Sequence, residues 1–209
     1  MIAAGTVGVS NASAADVSST TADWLYVGVH GGMADMSADW TLFGAGTYEG
    51  SASDSGFIGG IHAGFMHEFD GWALGIEGDW SFTDLSEGFD GFEGIGVSLD
   101  SLASLRLRAG WKIDQIMPYI TGGVALADLQ YDQYYVGPKV DEDSDHPFGL
   151  VIGGGLEIMF SEGWSGRAEF LYYDFGSSSG TFPNGPGYRY DVDTDVTVWR
   201  AGLSYNFGM

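Results

Sequence analysis

From residue 24 onward, apolar and polar residues alternate with period two, the mark of β-strands that present different faces to different surroundings. The alternation falls into blocks of roughly ten residues, the length that crosses a bilayer as a tilted strand. It predicts eight strands, at 24–33, 57–69, 72–83, 99–113, 117–127, 148–160, 164–175 and 195–207. Helical periodicity is absent, and 35 glycines would make helices costly.

The links between these strands alternate in length. Asp70-Gly71, Asp114-Gln115 and Ser161-Glu162-Gly163 are tight hairpin links, rich in residues that tolerate positive φ. Long links at about 34–56, 84–98, 128–147 and 176–194 separate them. In an up-and-down meander this collects every short turn at one end and every long loop at the other. An even strand count brings both termini to the short-turn end. The expected fold is therefore all-β: an eight-stranded antiparallel transmembrane β-barrel with short periplasmic turns and long extracellular loops.

Which face points inward follows from volume. In strand three, Trp72, Leu74, Ile76, Trp80 and Phe82 oppose Ala73, Gly75, Glu77, Asp79 and Ser81. In strand four, Leu105, Leu107 and Trp111 oppose Ser104, Arg106, Arg108 and Lys112. An eight-stranded barrel has room for little more than its own side chains. The glycine-rich polar face fits that interior, and the bulky apolar face needs lipid as solvent. A soluble lipocalin-like carrier would reverse the assignment and is the alternative from another class. Trp72, Trp111, Trp164, Tyr205 and Phe207 lie near the short-turn ends, and Trp80 and Trp199 lie towards the long links. That placement predicts two aromatic girdles at the membrane–water interfaces.

Composition narrows the choices further. A net charge of −22 argues against nucleic-acid partners, which require a basic footprint. The absence of cysteine removes disulfide scaffolds, thiolate metal sites and cysteine nucleophiles. Residues 2–9 are small and apolar, and Ala12-Ser13-Ala14 follows as an export-cleavage pattern. Residues 1–15 therefore read as part of a secretory signal, with the barrel domain at 16–209 and a mature start at Ala15 or Asp16.

Several stretches carry a family resemblance: Trp24-Leu-Tyr-Val-Gly-Val-His-Gly-Gly32, Gly75-Ile-Glu-Gly-Asp79, Leu105-Arg-Leu-Arg-Ala-Gly-Trp111, Pro118-Tyr-Ile-Thr-Gly-Gly123 and Arg200-Ala-Gly-Leu-Ser-Tyr-Asn-Phe207. In this order and spacing the chain resembles the OmpA-like and porin-family eight-stranded barrels of Gram-negative outer membranes. The resemblance implies location in the outer membrane, with membrane lipid and the barrel-assembly machinery as partners. Such proteins usually end on an aromatic assembly signal, whereas Gly208-Met209 follow Phe207 here, so weaker recognition by that machinery is expected. No peptidoglycan-binding domain is expected after the eighth strand.

Inward positions place Glu68, Glu77, Asp79, Glu157 and Glu169 against Arg106, Arg108, Lys112, Arg167 and Arg200. Five of the seven basic residues thus lie on a face where charge must be paired or wet. Such a lumen network reads either as a structural plug or as an ion-pair gate across a small pore. Glu77 with Arg108, and Asp79 with Arg106, are expected at similar depth, with strand stagger leaving the partners open.

The segments 34–56, 84–98, 128–147 and 174–195 carry eighteen acids, a solvated surface with weak divalent cations as possible partners. Asp141-x-Asp143-x-Asp145 and Asp191-x-Asp193-x-Asp195 begin like calcium loops. Neither has the glycine or terminal glutamate that such a loop needs, so no dedicated metal site is expected. His30 and His62 fall on inward positions, His67 lies by a short turn and His146 lies in a link. No G-x-S-x-G elbow is present, and neither an enzyme nor a cofactor is indicated. The functional reading is a structural or surface-interaction barrel with an ion-paired lumen; the alternative is a narrow porin for small solutes or ions.

Overall fold

The computed structural model describes residues 21–44, 46–87, 93–135, 141–145, 148–161, 163–181 and 189–208. The segment 1–15, read from its sequence as part of a secretory signal, lies outside the described residues. The strands are β1 (Thr21–Phe43), β2 (Thr47–Phe69), β3 (Trp72–Glu87), β4 (Glu93–Trp111), β5 (Ile116–Tyr135), β6 (Asp141–Asp145), β7 (Phe148–Ser161), β8 (Trp164–Thr181) and β9 (Arg189–Phe207). The sheet runs β4-β3-β2-β1-β9-β8-β7-β5, and a β4–β5 ladder closes it. Eight antiparallel strands therefore form a closed up-and-down barrel. β6 pairs with β5 on the same edge and in the same register as β7, so it extends the wall along the line of β7.

The tight links turn as their sequences require. Asp70 and Gly71 have φ of 50° and 82°, Asp114 has 54° and Gly163 has 77°. Positive φ suits a two-residue hairpin turn, because its twist matches that of the strands it joins.

Much of what reads as long link is strand. Residues 34–43 and 47–56 continue the β1–β2 ladder up to the Phe43–Thr47 pair. Residues 189–194 continue β9 against β1, up to Arg189 opposite Phe43. Asp191, Asp193 and Asp195 accordingly lie on alternate positions of a strand, not in a coordinating loop. The reading at the level of sequence missed this because the alternation reverses phase. On β1, Leu25, Val27, Val29 and Met33 are exposed while Tyr26 and His30 are buried; beyond them Ala34, Met36 and Ala38 are buried while Asp35 and Asp39 are exposed. On β9 the exposed Phe207, Tyr205, Leu203 and Trp199 give way to Thr197, Asp195 and Asp193, and the inward series changes from Ser204 and Arg200 to Val198 and Val196. The inversion marks where the outer solvent changes from lipid to water. Above it the barrel is built like a soluble one, apolar inside and polar outside.

The interior is consequently layered. At the turn end Trp24, Tyr26, Met66, Ala73 and Met117 form a compact apolar cluster. At the far end a larger cluster contains Ala34, Met36, Ile58, Leu102, Val151, Leu171, Tyr173 and Val198. The buried arginines and their carboxylate partners lie between the two, while Ser165, Asn206 and the Glu68–Lys112 pair carry polar side chains on to the turn end.

Candidate functional site in the barrel lumen

Four arginines and four carboxylates converge at mid-barrel: Arg106 and Arg108 from β4, Arg167 from β8, Arg200 from β9, Glu77 and Asp79 from β3, Glu157 from β7 and Glu169 from β8. Each is between 0% and 7% exposed, so none opens onto bulk water. Period-two geometry makes this convergence possible, since residues two apart on a strand share the inward face.

Glu77 is the hub. It accepts hydrogen bonds from Arg106, from Arg167, from Arg108 Nη1 at 3.0 Å and from the Tyr26 hydroxyl at 2.6 Å. Arg106 also lies 3.1 Å from Asp79 Oδ2 and 3.3 Å from Glu169 Oε1. Arg200 donates from Nε to Glu169 and from Nη1 to Asp79, at 2.8 and 2.9 Å. Arg108 Nη2 donates to Glu157 at 2.8 Å, and its guanidinium lies 3.9 Å from the centre of the Tyr119 ring. With charges balanced four to four and shared among several partners, every carboxylate has at least one cation in reach. Buried ions are tolerable only under that condition.

Register decides the pairs. Arg106 is directly opposite Glu77, while Arg108 faces Gly75 and reaches Glu77 diagonally. Glu68 and Lys112 do not join the group. They form their own partly buried pair at 2.8 Å by the turn end, with the lysine 5.7 Å from the Trp24 ring centre.

The histidines form a second polar chain. His30 and His62 stack at 5.6 Å with their Nδ1 atoms 3.4 Å apart, and each Nε2 lies 2.8 Å from a serine hydroxyl, Ser81 and Ser204 respectively. Arg200 Nη1 also approaches His30 Nε2 at 3.3 Å. His67 lies outside the lumen, 2.5 Å from Asp23 at the exposed rim. His146 falls outside the described residues.

Sequence reasoning overlooked Tyr26, Tyr119 and Ser104 as members of this site. Ser104 donates to Asp79. The signal for the tyrosines was available in the glycines. Tyr26 is paired with Gly64 and Tyr119 with Gly155; a Cβ on either glycine would come within 2.3 and 2.6 Å of the phenol oxygen. The thin positions on the inward face are the seats of the large ones.

On the outer wall Trp72 and Trp111 are cross-strand partners that meet edge to face at 4.6 Å. Trp164 packs on Tyr205 at 5.3 Å, and Tyr205 on Phe207 at 4.9 Å. Towards the far end Trp80 contacts Phe82 at 4.9 Å, and Trp199 contacts Phe170 at 4.5 Å. All seven of the girdle residues read from the sequence are exposed.

A closed eight-stranded barrel with an apolar outer belt and a charged interior is an outer-membrane barrel protein. The chain belongs to the outer membrane protein beta-barrel domain family, whose model matches residues 1–207. A 25 kDa outer-membrane immunogenic protein of Brucella melitensis is 28% identical over 158 residues, which are 76% of this chain and 69% of that protein. A 22 kDa outer membrane protein of Rhizobium leguminosarum bv. viciae is 28% identical over 156 residues, 69% of each chain. Among solved structures, the outer membrane protein OprG from Pseudomonas aeruginosa shares the fold, with a TM-score of 0.53 at 19% identity, covering 90% of this chain and 97% of that one. The protein is located in the outer membrane.

Proposed function

We propose that this protein is a closed, non-conducting outer-membrane barrel with a structural and surface-interaction role. Its lumen is filled by the charge network, and its far end carries the barrel wall beyond the lipid into the surroundings of the cell. The observation that supports this reading is the burial of eight lumen charges, none opening onto bulk water, beneath the larger apolar cluster at the far end. A hydrated ion would have to cross that apolar layer and break several ion pairs. The exposed tryptophans and tyrosines at both ends of the apolar belt would anchor the barrel at the two interfaces. The Brucella relative is an outer-membrane immunogenic protein, which agrees with a surface-facing role here.

A narrow porin is the second reading. It draws on buried donors that lack a partner among the described residues, including Nε of Arg106, Arg108 and Arg167 and the Tyr119 hydroxyl, which a file of water would satisfy. Conductance of the purified protein in planar bilayers separates the two. The closed reading expects no regular unitary openings, and reproducible single-channel steps would overturn it.

A further inference from the structure

The two apolar clusters of the lumen are built from different side chains. At the far end Ile58, Leu102, Leu171, Val196 and Val198 set the character, and Met36 is the one methionine among the described residues of that cluster. At the turn end, among the described residues, no leucine, isoleucine or valine belongs to the cluster. Met66 and Met117 fill it beside Trp24, Tyr26 and Ala73, and the half-buried Met159 packs against them. Three of the chain's seven methionines thus meet in one cluster, from β2, β5 and β7. Methionine is a flexible filler of gaps, but gap filling gives no reason to exclude the branched residues that serve the far end.

Glycines on the neighbouring wall seat two of the sulfurs. A Cβ on Gly75 would fall 2.3 Å from Met66 Sδ, and one on Gly110 would fall 3.1 Å from Met117 Sδ. Gly110 is the register partner of Ala73, so both thioethers lie against one short patch of β3 and β4. The surroundings favour positive charge. Trp24, the cross-strand partner of Met66, has the Lys112 ammonium 5.7 Å from its ring centre. Glu68 follows Met66 on the same inward face of β2 and stays partly exposed at the turn end. Asn206, the register partner of Tyr26, has a buried Oδ1 without a partner among the described residues, an open acceptor rather than a donor.

We propose that the turn end of the lumen binds one soft monovalent cation, Cu(I) or its analogue Ag(I), through the thioethers of Met66, Met117 and Met159. Thioether sulfur is a soft ligand that selects such an ion over harder divalent ones. The Trp24 ring adds its attraction for a cation near its face. Neutral ligands leave the charge of the ion uncompensated, and Glu68 beside them offsets it at the partly wet end of the lumen. The ion enters from the turn end, where Met159 and the Glu68–Lys112 pair are only partly buried. The site uses none of the four arginines and does not depend on whether the lumen conducts, so bilayer conductance and this binding test fail independently.

The experiment uses the full barrel in chloride-free detergent micelles, with isotope-labelled methionine methyls and silver nitrate as the probe. Ag(I) should bind one ion per barrel and shift the methyl resonances of Met66, Met117 and Met159. Met33 on the lipid face and Met36 in the far-end cluster should stay in place. Met66→Leu and Met117→Leu conserve volume, so both barrels should fold, which heat-modifiable gel mobility checks. Each should weaken Ag(I) binding by about tenfold or more, and the double change should abolish it. Met36→Leu should leave the affinity unchanged, and zinc at equal concentration should not displace the silver. Equal shifts at all the methionines, displacement by zinc, or wild-type affinity in the folded double variant would overturn the proposal.

Discussion

The Tyr26 side chain lies across Gly64, its cross-strand partner, and its hydroxyl donates to Glu77 Oε2 at 2.6 Å. One glycine on β2 thereby sets the position of a donor that serves a carboxylate on β3. Replacing Gly64 by valine should displace the phenol and the network with it, because the new Cβ would meet Tyr26 Oη at 2.3 Å and the Ile76 carbonyl at 2.7 Å. Overpacking of this kind costs about 1–3 kcal/mol. Tyr26→Phe, which keeps the ring and removes the donor, should cost about 1.5–3 kcal/mol, as expected for a hydrogen bond to a charged group. Denaturant unfolding in detergent measures both.

Removing one buried cation strands its partners. Arg108→Ala should lower stability by about 3–5 kcal/mol, because Glu157 and Glu77 lose a guanidinium at 2.8 and 3.0 Å. In the closed-barrel reading the variant still gives no regular openings in planar bilayers. Altered conductance, with closure recovered by restoring charge at a partner position, would identify a gate instead.

The phase inversion along β1 and β9 predicts opposite tolerance above and below it. Leu107 points outward at 68% exposure within the apolar belt. Leu107→Arg should destabilise the barrel by about 2–4 kcal/mol if the residue sits near the bilayer midplane. Ser53, exposed on β2 beyond the inversion, should accept arginine within about 0.5 kcal/mol, as a water-facing position would. Similar costs at both positions in folding assays with lipid vesicles would refute the assigned boundary.

Asp195 lies beyond Trp199 and outside the lipid belt. Burial first, and then the charges of Asp39 and Asp174, hold its carboxyl above the usual carboxylate range. A raised folded pKa means that the folded state holds the proton more tightly than the unfolded chain. The stabilising contribution of this group is therefore full below the unfolded pKa of about 3.9 and is lost as pH rises through the folded value. Asp195→Asn should accordingly raise the melting temperature at neutral pH, and the gain should shrink on acidification towards pH 4. A gain independent of pH would show that charge is not its cause.

The alternation of side chains by itself determined the closed barrel, the number of membrane-spanning strands and the face that meets lipid. A period of two admits one inward set per strand, and only the thin set fits inside eight strands. Asp70-Gly71 and Asp114-Gln115 marked their turns because few residues accept positive φ. The inward placement of Arg106, Arg108, Arg167 and Arg200 followed from the same alternation. Tertiary structure alone decided the rest. Arg106 meets Glu77 directly and Arg108 meets it diagonally because strand register, a property of two chain segments together, sets depth. The strand beyond Met33 could not be recognised from the lipid-facing pattern, since there the apolar residues turn inward to Leu171, Val196 and Val198 on neighbouring strands. A water-facing wall and a lipid-facing wall share one period with opposite phase, and only the position of each strand against its neighbours tells them apart.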